Sequence, residues 1–183
     1  MKNYGRTSGL LTLALVLAGY LMIPATTKAA ETGDSAEITR LLADAKAEAV
    51  ELKHDAEDME SFTRSSLTWG SYAGKAGMIK EHVNNAGKLL AKLKDAEAEG
   101  SPWQQTAIKQ IESLLKELAA NTESTIKHLK ENSANIHFPA FKDYVKANYE
   151  LATDLEALIR DFVNYGEAKQ EFERLAEKVD ITG

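Results

Sequence analysis

The sequence predicts an all-α fold: an antiparallel up-down-up-down four-helix bundle behind an N-terminal export signal. Three observations support this prediction. Alanine, leucine, glutamate and lysine, which all favour helices, dominate the chain after about residue 34. Turn signals interrupt that part only at 65–68, 99–102 and 132–135. Between them, apolar residues recur at spacings of three and four, as amphipathic helices require.

The first 30 residues have the pattern of a secretory signal peptide. Lys2 and Arg6 precede an apolar run at 9–24, and small residues follow up to Ala29 and Ala30. The run of about 16 residues is shorter than the roughly 20 that a spanning helix needs. We therefore expect cleavage after Ala29 or Ala30 and a periplasmic or secreted protein with a bacterial-type export signal. A retained N-terminal anchor is the alternative.

Composition excludes several classes of function. The 183-residue sequence has no cysteine, so it offers no disulfide, thiolate zinc site, iron–sulfur cluster or CxxCH haem attachment. Loss of Lys2, Arg6 and Lys28 with the signal would change the formal charge from −6 to −9. An acidic chain lacks the basic face that nucleic-acid binding needs. We expect no nucleic-acid partner and no stable membrane span after cleavage.

The turn signals divide the predicted domain, residues 31–183, into four helices. These are expected at about 34–64, 69–98, 102–131 and 139–181. Ser101, Pro102 and Gln104 form a strong helix start, since serine caps, proline suits the first turn and glutamine reaches back. Asp34 with Glu37 is a weaker form of the same signal. Short connections between such helices imply antiparallel neighbours.

The fourth helix departs from a single apolar stripe. One stripe per helix is expected over 38–59, 72–93, 108–129 and 141–162. Beyond Gly166 a second stripe follows, formed by Phe172, Leu175, Ala176 and Val179 and rotated by about 130° from the first. The pattern predicts a long fourth helix that is bent or broken near Gly166. We expect its tail to cover the bundle end near Trp103, or else to pack on a second molecule. A straight helix with a partly exposed tail is the alternative.

A buried polar layer is predicted between the third and fourth helices. Thr122 and Asn148 lie near the centres of their stripes, each about ten residues from the connecting loop, or roughly 15 Å along the helix. We expect them to share one layer, with His82 at its edge. Buried polar groups need hydrogen bonds and can fix helix register, so we interpret the layer as structural. A small polar ligand pocket is the alternative.

Aromatic residues collect near one end of the predicted bundle. The first loop is followed by Trp69 and Tyr72. The start of the fourth helix carries His137, Phe138, Phe141 and Tyr144. The pattern is typical of a hydrophobic plug that closes a bundle. A docking surface is the alternative, because partly exposed tryptophan and tyrosine are common at binding sites.

No catalytic or metal motif is present. The sequence lacks HExxH, P-loop, GxSxG and dinucleotide fingerprints. His54, His82, His128 and His137 lie off the apolar stripes or in a loop, so we predict no metal site and no cofactor. The leading hypothesis is an exported, non-enzymatic bundle that binds another protein, a second copy of itself in a homodimer, or a cell-envelope component. The alternative is a haem- or metal-binding bundle that acts as a periplasmic carrier.

We predict that residues 1–30 will export a fused reporter that is active only outside the cytoplasm. Mass spectrometry of the exported protein should find a new N-terminus at Ala30 or Glu31, because small residues there suit cleavage. An intact Met1 on soluble exported protein would contradict the cleavage.

Overall fold

The described part of a computed structural model, residues 33–65, 67–133 and 139–181, consists of four long helices and contains no strand. The helices are α1 (Ala36–Phe62), α2 (Trp69–Asp95), α3 (Pro102–Glu131) and α4 (Pro139–Ile181). A 3₁₀ turn at Glu97–Glu99 ends the segment predicted as the second helix. The all-helical, four-helix prediction is confirmed, and the predicted bounds of the helices differ from the observed ones by only a few residues. The proposed export signal lies outside the described residues.

Hydroxyl side chains cap the first two helices. The Ser35 hydroxyl accepts a hydrogen bond from the Ile38 N–H at 3.4 Å, and Thr68 does the same for Ser71 at 3.4 Å. Each cap supplies an acceptor to an N–H group that has no partner within its helix. The prediction of Asp34 as the residue that caps α1 is therefore one residue early, and the Asp34 carboxylate makes other contacts, described below.

The apolar stripes meet in one core. The helices α1 and α3 each pack against both α2 and α4. The stripes of α1 and α2 are buried along their whole predicted length, from Ile38 to Met59 and from Tyr72 to Leu93. The predicted stripes of α3 and α4 are buried as well, except that Ile126 and Phe162 are only partly buried. The helical periodicity in the sequence therefore identified the core correctly.

The fourth helix is much longer than the others and is unbroken. It has 43 residues, about 65 Å, whereas α1, α2 and α3 have 27 to 30, about 40–45 Å. The predicted break near Gly166 is wrong. The expected cover over the bundle end is wrong too, because residues 170–179 are all exposed. We call this segment the C-terminal projection; its exposure matches the alternative of an exposed tail.

Gly166 serves a close contact instead of a break. A Cβ atom at this position would lie 2.9 Å from Cη2 and 3.3 Å from Cζ2 of Trp103. The indole ring thus packs directly on the α4 backbone, which only glycine permits. The Trp103 ring cannot easily retreat, since its Nε1 donates a 2.7 Å hydrogen bond to Asp34.

We predict that Gly166→Ala destabilises the protein by about 1–2 kcal/mol, because the overpacked methyl outweighs the gain of up to about 1 kcal/mol from helix propensity. Gly77→Ala is the matched control, since a Cβ at Gly77 meets nothing within 4 Å. That variant should gain stability. Urea unfolding midpoints measure both, and equal stabilisation by the two substitutions would refute the close contact.

Candidate functional site

A buried glutamine joins the starts of α1 and α3. The Gln104 side chain is fully buried. Its Oε1 accepts from the backbone N–H groups of Ser35, at 2.8 Å, and Ser101, at 3.1 Å. Its Nε2 donates to the Ser35 carbonyl at 2.9 Å and to the Thr39 hydroxyl at 3.1 Å. One amide thus uses both donors and both acceptor positions, and it closes the capping box of α3.

Asp34 ties this junction to α4. Its Oδ1 accepts from Trp103 Nε1 at 2.7 Å and from Lys169 Nζ at 2.8 Å. Burial alone would raise the pKa of Asp34, but hydrogen bonds from Lys169, Ser101 and Trp103, with the Lys169 charge, lower it below its usual range. The Tyr165 ring meets the edge of Trp103 at 5.3 Å. These contacts hold α4 immediately before the C-terminal projection.

The C-terminal projection carries the second apolar stripe predicted from the sequence. Phe172 is 73% exposed and Leu175 is 47% exposed. Ala176 and Val179 are exposed as well. Positions 172, 175 and 179 repeat at three and four residues, so they share one helix face. The projection therefore presents an apolar helix face to solvent.

The predicted polar layer forms between α3 and α4. The Thr122 hydroxyl donates to Asn148 Oδ1 at 2.9 Å, and Asn148 Nδ2 donates to Thr125 Oγ1 at 2.8 Å. The Thr125 hydroxyl in turn donates to the Asn121 carbonyl at 2.8 Å. Thr125 was missed because it lies beside the apolar stripe, although its position one helical turn after Thr122 was a usable signal. Every member shown is hydrogen-bonded, as buried polar groups require.

His82 does not belong to that layer. It lies on α2 against α1, where Nδ1 is 2.6 Å from Glu48 Oε1 and Nε2 is 3.4 Å from Asp55 Oδ2. Lys75 pairs with Asp55 and Asp58, at 3.0 Å each. The prediction failed because His82 lies about 70° from the centre of its stripe, an angle at which it reaches α1 instead of the layer. The cluster binds α1 to α2 through charge.

The aromatic residues at the bundle end form a plug. Tyr72 and Phe141 are each 1% exposed, and their rings meet edge-on at 5.1 Å. The Tyr72 hydroxyl donates to the Phe62 carbonyl at 2.8 Å. These two residues belong to the core, so they are unavailable for docking. Trp69 stays 41% exposed while its Nε1 donates to the Leu129 carbonyl at 2.9 Å.

Tyr144 and His128 pack at the same end of the bundle. The half-buried Tyr144 ring lies 5.5 Å from His128, which stacks on Phe141 at 6.0 Å. His137 and Phe138 lie outside the described residues. In the described ranges, no three histidine, aspartate or glutamate side chains converge as a metal site.

Comparisons with known proteins find no matching family model, no matching curated protein and no matching solved structure. Among the helices described above, none has the length and apolar character needed to cross a membrane.

We predict that Asn148→Leu costs about 1–3 kcal/mol, because it leaves the Thr122 hydroxyl without its acceptor. Adding Thr122→Val removes that orphaned group, so the double variant should lose about 1 kcal/mol less than the sum of the single losses. Thr106→Val is the control partner, since its exposed hydroxyl bonds only the Pro102 carbonyl. Denaturant titrations measure all five variants. Strict additivity of Asn148→Leu with Thr122→Val would show that the two residues are not coupled.

Proposed function

We propose that this protein is an exported, non-enzymatic helical bundle that binds another protein through the C-terminal projection. The observation that supports this most directly is the exposed apolar face of α4, with Phe172 73% exposed. When a partner covers exposed phenylalanine and leucine side chains, the removal of their apolar surface from water stabilises the complex by roughly 1.5–3 kcal/mol for each fully buried side chain.

The spacing of the exposed face suits a groove on a partner protein. Amphipathic helices dock into apolar grooves through anchors at positions i, i+3 and i+7. Phe172, Leu175 and Val179 have this spacing. A partner whose groove accepts one aromatic and two aliphatic side chains fits the projection.

The contacts before the projection favour recognition. Lys169 is held by Asp34 at 2.8 Å, and Tyr165 packs on Trp103. These contacts anchor the helix at its base, so less conformational entropy is lost when a partner binds. An isolated helix of this length would be marginal in water.

Charge favours a protein partner over a lipid surface. Helices that lie on membranes place lysine and arginine on their polar face to meet anionic lipids. The projection contains three glutamates, Glu171, Glu173 and Glu177, against two basic residues, Arg174 and Lys178. The polar face of the projection therefore lacks the basic excess that an anionic bilayer attracts.

Export and an up-down-up-down topology belong to the same proposal. Export rests on the order of basic, apolar and small residues over 1–30. The topology is supported by two contacts between α1 and α2. His82 lies at Glu48, and Lys75, nearer the start of α2, lies at Asp55, nearer the end of α1. The residue numbers of the contacts increase along α1 while they decrease along α2, and this order favours an antiparallel arrangement of the two helices.

A photo-crosslinking amino acid at position 172 or 175 tests the binding face. In cells that export the protein, illumination should give a discrete adduct with one other protein at both positions. Gln170 is the matched control, because it is exposed but lies about 200° around the helix from Phe172. That position should give little or no adduct.

Phe172→Ser with Leu175→Ser should abolish the adduct formed from a crosslinker at position 179, while changing the free energy of unfolding by less than about 0.5 kcal/mol. Equal adducts at 170 and 172 would contradict a specific face. An adduct with only a second copy of the chain would contradict a different partner protein and indicate a homodimer.

A further inference from the structure

A groove runs along the seam between α2 and α3, away from the C-terminal projection. Its larger part is a cavity of about 540 Å³ between Lys80 and Asn84 on α2 and the last turns of α3. A second cavity of about 280 Å³ continues it. Val83, Asn84 and Ala119 line both, so the two form one groove. Its volume is in the range of small-molecule sites.

The larger cavity has a small excess of positive charge. It is lined by three lysines and two glutamates, namely Lys80, Lys127, Lys130, Glu123 and Glu131. Lys127 lies 4.0 Å from Glu131, at the limit of an ion pair. Within the described residues Lys80 and Lys130 make no ion pair or side-chain hydrogen bond. Two ammonium groups in this cavity are therefore available to an anion, on a chain that is acidic overall.

The other end of the groove is mainly apolar. It is lined by Leu90, Leu115 and Gly87, with Lys116 beside them. Val83, Ala119 and Ile126 supply apolar surface in the larger cavity. From Lys80 to Leu90 the groove follows α2 for about 15 Å. Gly87 leaves room at the apolar end, since a Cβ there would meet nothing within 4 Å.

We propose that this groove binds a free medium-chain fatty acid, with its carboxylate at Lys80 and Lys130 and its chain toward Leu90. A cavity with a small positive excess continues into a mainly apolar one, which matches a single-chain amphiphile. The charged residues lining the larger cavity are three lysines and two glutamates, which leave one net positive charge. That balance suits a singly charged carboxylate better than a doubly charged phosphate. The proposal does not depend on the protein-binding face of α4.

Gly87→Leu tests the site without disrupting the fold. The leucine side chain has space at the backbone and would fill the apolar end of the groove. Binding of dodecanoate to the purified protein, measured by isothermal titration calorimetry, should weaken by about tenfold or more. Gly74→Leu is the control, because Gly74 is also open, lies on α2 and does not line the groove. Both leucines improve helix propensity, so neither variant should lose stability.

Two further measurements test recognition of the head group. Lys80→Gln and Lys130→Gln should each weaken dodecanoate binding by about two- to fivefold, the range of an exposed ion pair. Lys142→Gln on α4 removes the same charge away from the groove and should change nothing. Dodecanol, which has no charge, should bind more weakly than dodecanoate.

Several results would overturn the proposal. These are the absence of saturable dodecanoate binding, equal affinities for dodecanoate and dodecanol, or tighter binding of dodecyl phosphate than of dodecanoate. Unchanged binding in Gly87→Leu would also overturn it. None of these outcomes bears on the crosslinks from position 172, so the two proposals fail separately.

Discussion

The placement of the helices depends on the buried amide of Gln104. Apolar packing has no fixed direction, so stripes of alanine and leucine alone would tolerate sliding of one helix past another. The three hydrogen bonds of Gln104 to Ser35 and Thr39 remove that freedom between α1 and α3. A one-residue slip would leave several buried polar groups without partners, at about 1–3 kcal/mol each. Once Ser35 is fixed, Asp34 reaches Trp103, and Trp103 meets α4.

The sequence predicted what depends on periodicity and little of what depends on pairing between helices. Four helices and their buried stripes follow from spacings of three and four. Thr122 and Asn148 were paired correctly because both are polar interruptions of a stripe at equal distance from one loop. His82 was assigned to the wrong contact because its angle of about 70° from the centre of the stripe does not determine which neighbouring helix its side chain reaches. The Asp34–Lys169 pair spans 135 positions, and no local pattern reports it.

Gly166 shows how one signal can support two different structures. A glycine at a change of apolar phase was read as a break, because glycine is costly inside a helix. The structure has the phase change and keeps the helix, since the glycine admits the Trp103 ring. The second stripe occupies one helix face, as predicted, but that face is exposed to solvent and does not cover the bundle end. Periodicity says that apolar residues share a face, and only the lengths of the neighbouring helices decide whether that face is covered.

The groove and α4 are in contact through α3. Thr122 lines the groove and donates its hydroxyl to Asn148 of α4. A ligand that moved Thr122 would therefore act on α4 through this hydrogen bond and through the packing of α3 on α4. Phe172 lies 24 positions further along, about 36 Å, beyond the anchoring of α4 by Asp34 and Trp103. Coupling between sites needs an element with two arrangements, and these anchors hold α4 in one. Occupancy of the groove should therefore leave the exposed face of the projection unchanged.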